Sequence, residues 1–220
     1  LTTFTRKAAR QMLDRINQRL TELKIKFPKN KNIQNAELLG LRLGTIHSLA
    51  EEFLSEIRSP DFIGSTVIDE IQLQMLMLNT GNNQNVYCNS THPLKEFNEQ
   101  NFGRPLFGEG WVRRLNLLYN HLTEDRIRFD TFKGDAGGEA LLDGYSHYRT
   151  MMERTRRLDF ALLLDLLCYE IESGGLDELV ETIEYVMVDE YQDTNPIQEE
   201  IFFGIARNKN LCVVGDDDQA

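Results

Sequence analysis

Two short apolar segments near the end of the chain run directly into acidic residues. Residues 185–188 and 211–214 are almost entirely apolar, and each is too short for a typical helix. An uninterrupted apolar run of this length predicts a strand buried on both faces, as in a parallel sheet. Between them, Pro196 stands where a first helical turn tolerates proline, and apolar residues then recur at helical spacing up to Ile205. The pattern therefore predicts a strand–helix–strand unit with parallel strands.

The first sixty residues and the middle of the chain predict further elements. Residues 1–4 suggest the end of a strand, and residues 6–23 an amphipathic helix with Thr5 as its N-cap. A short strand at 41–45 and a helix from Ile46 are predicted next. The middle of the chain requires no strand of the main sheet, and its predicted helices cover residues 69–79, 111–120 and 141–157. A strongly apolar helix follows residue 158.

The acidic residues after the two apolar segments are candidates for chemistry. Asp189 and Glu190 follow the first segment, and Asp216 and Gln219 follow the second. Ligands of open α/β sheets bind outside the carboxyl ends of the strands, so neighbouring strands deliver these side chains to one edge. One carboxylate can hold a metal ion while the other orients or deprotonates a water, which are the two roles that nucleotide hydrolysis requires.

The sequences around these acids resemble those of a known family. DEYQDTN at 189–195 and VVGDDDQ at 213–219 closely resemble motifs II and III of UvrD/Rep-type superfamily 1 DNA helicases. The resemblance implies ATP and Mg²⁺ as cofactors. It implies that Asp189 holds Mg²⁺, that Glu190 positions or activates the attacking water, and that Gln219 senses the γ-phosphate and couples it to DNA. Asp216 would have a lesser polar role near the nucleotide.

Two earlier segments resemble motifs of the same family that contact DNA. TFTRKAAR at 3–10 resembles motif Ia, with Arg6 where the family usually has Asn. TIHSLA at 45–50 resembles the threonine–aromatic–histidine–serine motif, with Ile46 replacing the usual Phe. The resemblance implies that a set of residues from both segments lines the path of single-stranded DNA. They are Phe4, Thr5, Arg6, Thr45 and His47.

The resemblance also implies an architecture. We expect an α/β fold with a partial RecA-like (P-loop NTPase) parallel sheet that carries a mostly helical inserted subdomain. Residues 1–60 and 158–220 would form the two parts of the RecA-like domain, and residues 61–157 the insertion. LDF at 158–160 is similar to a further family segment, from which Asp159 is carried over.

The function implied is that of a 3′–5′ ATP-dependent DNA helicase. Such a cytoplasmic enzyme couples Mg-ATP hydrolysis to translocation on single-stranded DNA and to duplex unwinding at single/double-strand junctions, in repair, replication or recombination. No phosphate loop of the form GxxxxGK(S/T) occurs in the 220 residues, and the family places that loop before motif Ia. We therefore expect these residues alone to neither hydrolyse ATP nor unwind DNA.

Three alternatives stay open from the sequence. A helicase–nuclease subunit of the RecB/AddA kind shares these motifs, and a downstream nuclease domain would identify it. A non-catalytic nucleic-acid-binding module would keep the fold without ATP chemistry, and a Gly-Lys-Thr loop upstream of Leu1 would argue against it. An unrelated acidic α/β domain is the third alternative, and the paired motifs at the expected spacing argue against it.

Composition and charge add three limits. The net charge is −11, yet residues 1–31 carry nine Lys and Arg against two acids, and residues 170–220 carry fourteen acids against two basic residues. This asymmetry is compatible with a protein that contacts phosphates at one place and a metal ion at another. The sequence contains no run of 18 apolar residues, so no membrane span is predicted. The three cysteines lack a CxxC spacing and are expected to be reduced residues of the core. The isolated pair Cys88 and His92 is weak evidence for zinc.

Overall fold

The computed structural model describes residues 1–3, 5–79, 93–102, 109–207 and 210–216. The chain forms two compact units. One comprises Leu1–Ser59, Tyr169–Thr194 and Gln198–Ala220, and the other comprises Pro60–Cys168 and Asn195–Ile197. The protein is mixed α/β and mostly helical, with two small parallel sheets among the described residues. None of the helices in these ranges is long and apolar enough to cross a membrane.

Helices account for most of the described residues. They are α1 (Arg6–Lys26), α2 (Lys31–Gln34), α3 (Ile46–Glu56), α4 (Glu70–Asn79), α5 (Pro93–Phe102), α6 (Glu109–Glu124), α7 (Ala136–Arg154), α8 (Phe160–Glu172), α9 (Asp177–Glu181) and α10 (Pro196–Ala206). The strands are β1 (Thr66–Val67), β2 (Arg157–Leu158), β3 (Tyr185–Val188) and β4 (Asn210–Val213). The helices predicted from apolar periodicity are all present, with their ends displaced by some residues.

Side-chain caps fix where two helices of the first unit begin. Thr5 has extended backbone angles, and its Oγ1 accepts a hydrogen bond from the Ala8 N–H at 3.0 Å. Thr45 does the same for α3, accepting from the Ser48 N–H at 3.3 Å. Each hydroxyl satisfies one of the N–H groups that a first helical turn leaves without a partner. The predicted N-cap at Thr5 is therefore confirmed.

The sheet of the first unit is built on β3. It pairs in parallel with β4, with Val188 opposite Val213. On its other side Thr2 forms an isolated parallel bridge with Val188, and Thr2 also bridges Gly44. The carboxyl ends of β3 and β4, and the turns that lead into α1 and α3, therefore meet at one edge of the sheet.

The second unit has a helical core with an aromatic centre. Tyr119, Tyr145 and Tyr148 pack against one another, with ring centroids 5.2 to 5.9 Å apart. Buried apolar side chains from α4 to α8 surround them, including Leu73, Met77, Leu94, Trp111, Val112, Leu115, Leu141 and Met152. The separate two-stranded sheet of β1 and β2 belongs to this unit, and none of the unit's described residues adds a strand to the main sheet.

Three sequence-based interpretations need correction. The first concerns β3, which is buried on one face only. Val186 and Val188 are 9% and 2% exposed, whereas Tyr185 and Met187 are 59% and 43% exposed. Successive residues of a strand point to opposite faces, and among the described residues only one face of β3 is covered. The prediction of a strand buried on both faces is therefore wrong for β3, and it is also wrong for β4, which has no buried residue.

The other corrections concern residues 41–45 and Cys212. The predicted strand at 41–45 is reduced to the single bridge at Gly44, because its partner segment at Thr2 ends shortly before α1 begins. Cys212 is exposed and Cys168 is buried, and neither forms a disulfide with another described residue. Only Cys168 therefore fits the expected core position, while Cys88 lies outside the described residues together with His92.

Candidate functional site

A small cleft lies in the first unit where Thr2, Gly44 and β3 meet. Its volume is about 40 Å³, room for about three water molecules. Residues from four segments of the chain line it: Thr2, Thr3, Thr45, Ile46, His47, Val188, Asp189, Gln198 and Phe202. Thr45, His47 and Asp189, three of the residues singled out from the sequence, are thus brought together at one place.

Main-chain hydrogen bonds hold Asp189 at this cleft. Its N–H donates to the Thr2 carbonyl at 3.1 Å, and the Thr2 N–H donates to the Met187 carbonyl at 2.9 Å. The Asp189 carboxylate is half-buried and follows β3 directly. A half-buried carboxylate at the end of such a strand, open to solvent on one side, can bind a cation without a large desolvation cost.

His47 lies in the first turn of α3, on the other side of the same cleft. Burial lowers the pKa of its imidazole below the ordinary value of 6.5, so the ring is neutral at neutral pH. A neutral imidazole can accept or donate hydrogen bonds but carries no positive charge to attract a phosphate. The structure therefore favours a hydrogen-bonding role over an ionic one for His47.

Glu190 and Asp216 are exposed at the ends of β3 and β4. Glu190 has left-handed backbone angles, φ 56° and ψ 43°, which are uncommon outside glycine. The pairing of the two strands continues past their ends, since the Val214 N–H donates to Val188 at 2.8 Å and the Tyr191 N–H to Val214 at 2.9 Å. These bonds keep the two acidic segments adjacent.

Thr5 and Arg6 begin α1, and both side chains are exposed. The first turn of α1 contains no acidic residue, so a bound anion would meet no like charge there. Exposed N–H groups and a cationic side chain at a helix start suit a phosphate. Phe4 and Gln219, the other two predicted site residues, lie outside the described residues.

Three arginines of the second unit form ion pairs with aspartates of the same unit. Arg126 Nη1 lies 2.9 Å from Asp165 Oδ1, and Arg149 Nη1 lies 2.9 Å from the other oxygen of the same carboxylate. Arg128 pairs with Asp130 at 2.7 Å, with both side chains exposed. Arg126 therefore contributes to the packing of the second unit by its ion pair with Asp165.

Two residues near the site were not singled out from the sequence. Gln192 bonds both to Glu190 and to the segment after β4. Gln198 is 7% exposed and lines the cleft. Gln198 lies three positions before Ile201 and four before Phe202, so it shares their buried helix face. This spacing is the sequence signal that could have identified Gln198. For Gln192 the only signal was its place two positions after Glu190, because Asp216, its other partner, lies 24 residues further along the chain.

The fold and the site together define an α/β protein whose parallel strands end in acidic residues beside two capped helices. The UvrD/REP helicase N-terminal domain family model matches residues 1–220, and the chain belongs to this family.

Proteins that are similar in sequence to this chain are named as DNA helicases. The ATP-dependent DNA helicase PcrA of Leuconostoc citreum is 29% identical over 225 residues, which cover 99% of this chain and 26% of that protein. PcrA of Staphylococcus aureus is 27% identical over 227 residues, with 99% and 26% covered. A probable DNA helicase II homolog of Mycoplasma pneumoniae is 27% identical over 231 residues, with 99% and 28% covered. The chain thus spans about a quarter of the length of these relatives.

Proposed function

We propose that this chain is part of an ATP-dependent DNA helicase of the UvrD/Rep type. The observation that carries the proposal is the parallel pairing of β3 with β4, which brings Asp189, Glu190 and Asp216 to one edge of the sheet. The names of the relatives, ATP-dependent DNA helicases, agree with it. The full-length protein would move 3′ to 5′ on single-stranded DNA and unwind duplexes at junctions during DNA repair, replication or recombination, in the cytoplasm.

The architecture proposed for this function is RecA-like. Residues 1–60 and 158–220 would form one RecA-like domain around the parallel sheet, and residues 61–157 would form a helical insertion. Parallel strands with connecting helices are the arrangement on which phosphoryl-transfer sites of P-loop NTPases are built. No GxxxxGK(S/T) segment lies within the 220 residues, so we propose that they show no steady ATPase activity by themselves.

The carboxylates of the site have the donor chemistry that Mg²⁺ prefers. Asp189 would hold the ion, and Asp216 would contribute a polar contact nearby. Within the described ranges no group of three or more His, Cys, Asp or Glu could hold a metal by itself. Mg²⁺ at nucleotide sites is usually bound through one or two carboxylates together with phosphate oxygens and water, so the residues present fit it. When bound, Mg²⁺ supplies charge stabilisation for the transferring phosphoryl group.

The remaining site residues would contact the attacking water, the γ-phosphate or the DNA. Glu190 would orient or deprotonate the attacking water, and Gln219 would sense the γ-phosphate. A single DNA strand would run along a set of side chains from the starts of α1 and α3: Phe4, Thr5, Arg6, Thr45 and His47. Residues 1–3 support a close connection between this path and Asp189, because Thr2 exchanges main-chain hydrogen bonds with Met187 and Asp189 while its two neighbours bond to Gly44.

The test is ATP hydrolysis by the full-length protein with and without single-stranded DNA. We expect DNA-stimulated hydrolysis, and unwinding of duplexes that carry a 3′ tail. Glu190→Gln is expected to lower the hydrolysis rate by roughly 10²–10⁴-fold, the range that general base catalysis contributes. Glu178→Gln, an exposed carboxylate on α9 of the same unit, is the matched control and should leave the rate unchanged.

Other outcomes would point to the alternatives. DNA binding without ATP hydrolysis would indicate a non-catalytic nucleic-acid-binding module. Magnesium-dependent DNA degradation that accompanies unwinding would indicate a helicase–nuclease. Full activity in the Glu190→Gln variant would contradict the role given to that carboxylate.

A further inference from the structure

The side chain of Gln192 joins the two acidic segments of the site. Its Nε2 donates a hydrogen bond to Glu190 Oε2 at 2.7 Å. Its Oε1 accepts a hydrogen bond from the backbone N–H of Asp216 at 2.9 Å. We call this pair of contacts the Gln192 bridge. It connects the side chain of one predicted site residue with the main chain of another.

The local backbone is shaped to allow the Gln192 bridge. Gln192 lies in a 3₁₀ turn, Tyr191–Asp193, that starts directly after the left-handed Glu190. Gly215 makes room on the other side, because a Cβ at that position would come within 2.7 Å of Gln192 Oε1. Real Cβ atoms do not approach so closely, so a larger residue at position 215 would displace the amide.

The bridge requires a side chain that donates and accepts at once. An amide does both with atoms at fixed separation, whereas a carboxylate only accepts and an ammonium group only donates. Glu190 is exposed, and a free glutamate would lose rotamer entropy whenever it adopted one reactive orientation. A donor fixed by its own second hydrogen bond reduces this cost, which is the usual function of side chains that support a reactive group.

We propose that Gln192 is a positioning residue that holds the Glu190 carboxylate and ties its orientation to the segment after β4. A displacement of residues 215–216 would then also move the Glu190 carboxylate, because the Gln192 side chain is bonded to both. The proposal rests on the proposed function for the role of Glu190, but the bridge itself can be tested without any enzymatic activity.

The first test uses NMR on the 220-residue chain. In Gln192→Leu, which keeps the approximate volume and removes both bonds, the Asp216 amide hydrogen should exchange with solvent roughly 5–10-fold faster, the factor that loss of a hydrogen bond worth about 1–1.4 kcal/mol corresponds to. Glu190→Gln should shift the Gln192 side-chain NH₂ signals. Gln18→Leu is the matched control, because Gln18 also donates to a glutamate, Glu22, at 3.3 Å, and that glutamate lies on the same helix. Unchanged exchange at Asp216 in Gln192→Leu would overturn the bridge.

The second test separates rate from binding in the full-length protein. Gln192→Leu should lower kcat for DNA-stimulated ATP hydrolysis by roughly 10–100-fold, because small misplacements of a reactive group can cost about 10²-fold. KM for ATP should stay within about twofold of the wild-type value, since the orientation of Glu190 affects the chemical step and not ground-state binding. A purely structural role for Gln192 would instead alter kcat and KM together.

Two further variants distinguish the halves of the bridge. Gln192→Glu keeps an acceptor for the Asp216 N–H but places a second carboxylate against Glu190, so its kcat should fall as in Gln192→Leu. Gly215→Ala should displace the Gln192 amide and lower kcat in the same direction. Wild-type kcat in Gln192→Leu or Gln192→Glu would overturn the positioning role. A full-length protein without ATPase activity would defeat the proposed function and the positioning role together, and the exchange experiment would still report on the bridge.

Discussion

The backbone N–H of Asp189 donates a hydrogen bond to the carbonyl of Thr2 at 3.1 Å, so motif II is bonded directly to the segment that leads into α1. Thr2 in turn is bridged to Gly44, immediately before the cap of α3. The main chain of residues 1–3 therefore links the acidic edge of the sheet to both segments expected to contact DNA, since the residues on either side of Thr2 make the hydrogen bonds to Gly44. These three segments lie far apart in the sequence, and the parallel bridges at Thr2 bring them together in the structure.

Arg6 is expected to contribute a phosphate contact to DNA binding. Arg6→Ala should weaken binding of an oligothymidine to the 220-residue chain and reduce the slope of log K against log salt by about 0.7 for a single strand. Arg19→Ala is the control, because Arg19 lies on the same helix but is paired with Glu22 at 2.9 Å. Fluorescence anisotropy titrations at several salt concentrations measure both quantities. Equal slopes for the wild type and Arg6→Ala would remove Arg6 from the strand path.

Thr45 is expected to stabilise the first unit through its cap, separately from any contact with DNA. Thr45→Ala should lower the free energy of unfolding by about 1 kcal/mol, because the Ser48 N–H loses its acceptor. Thr45→Ser keeps the hydroxyl and should retain most of the stability. Urea denaturation of the three proteins gives the comparison. If Thr45→Ser were as unstable as Thr45→Ala, the methyl group rather than the cap would be responsible.

The same cap illustrates what local sequence can predict. A threonine before an amphipathic or apolar segment carries its own signal, and both Thr5 and Thr45 begin helices at the expected positions. Periodicity predicts α1, α3, α4, α6, α7, α8 and α10 in the same way, whereas α2, α5, α9 and the short strands β1 and β2 were not predicted. The exposure of the second face of β3 could not be predicted. A run of apolar residues indicates a preference for burial but does not show what covers each face. Whether the predicted site residues perform their assigned roles stays a prediction.

Contacts between distant residues are the other part that the sequence could not supply. The Gln192 bridge depends on the register of β3 against β4, and the cleft shared by His47 and Asp189 depends on the bridges of Thr2. Each of these arises from pairing between segments that no local pattern specifies. Motif resemblance identified the acidic residues, and only the structure relates them to their neighbours.

Gly144 is expected to be required for close packing in the second unit. A Cβ at this position on α7 would come within 2.5 Å of both Leu94 Cδ1 and the Tyr119 hydroxyl. Alanine is favoured over glycine in a helix by about 1 kcal/mol, but overpacking a core costs about 1–3 kcal/mol, so Gly144→Ala should be destabilising on balance. Gly40→Ala meets nothing within 4 Å and serves as the control for thermal or urea denaturation. A Gly144→Ala variant more stable than the wild type would contradict the packing described for this core.

Asp159 is a buried carboxylate at the start of α8, in the second unit. Its Oδ1 accepts a hydrogen bond from the Leu162 N–H at 2.9 Å, and its other oxygen accepts one from the Tyr148 hydroxyl. Burial raises the pKa of Asp159 above its ordinary value, and these hydrogen bonds only partly oppose that effect. Glu124, which accepts from the Asn195 side chain at 3.2 Å, has its pKa raised by burial and by the charge of Asp159.

The raised pKa of Asp159 predicts how stability depends on pH. Between the ordinary value of 3.8 and the raised value, the folded protein binds more protons at this group than the unfolded chain does. Asp159 therefore makes the free energy of unfolding fall as pH rises through that interval, and its contribution becomes constant above the folded-state pKa. Asp159→Asn removes the ionisation and keeps a similar shape, so its unfolding free energy should fall less over the same interval.

Urea denaturation at a series of pH values from about 4 to 8 measures this difference. The unfolding free energy of the wild type minus that of Asp159→Asn should decrease as pH rises, because only the wild type has to bury a negative charge at this position. Asp61→Asn changes an exposed carboxylate of the same unit, and its difference from the wild type should vary little. A wild-type minus Asp159→Asn difference that increased with pH would mean that the hydrogen bonds from Tyr148 and Leu162 outweigh burial, and that the carboxylate is held ionised in the folded protein.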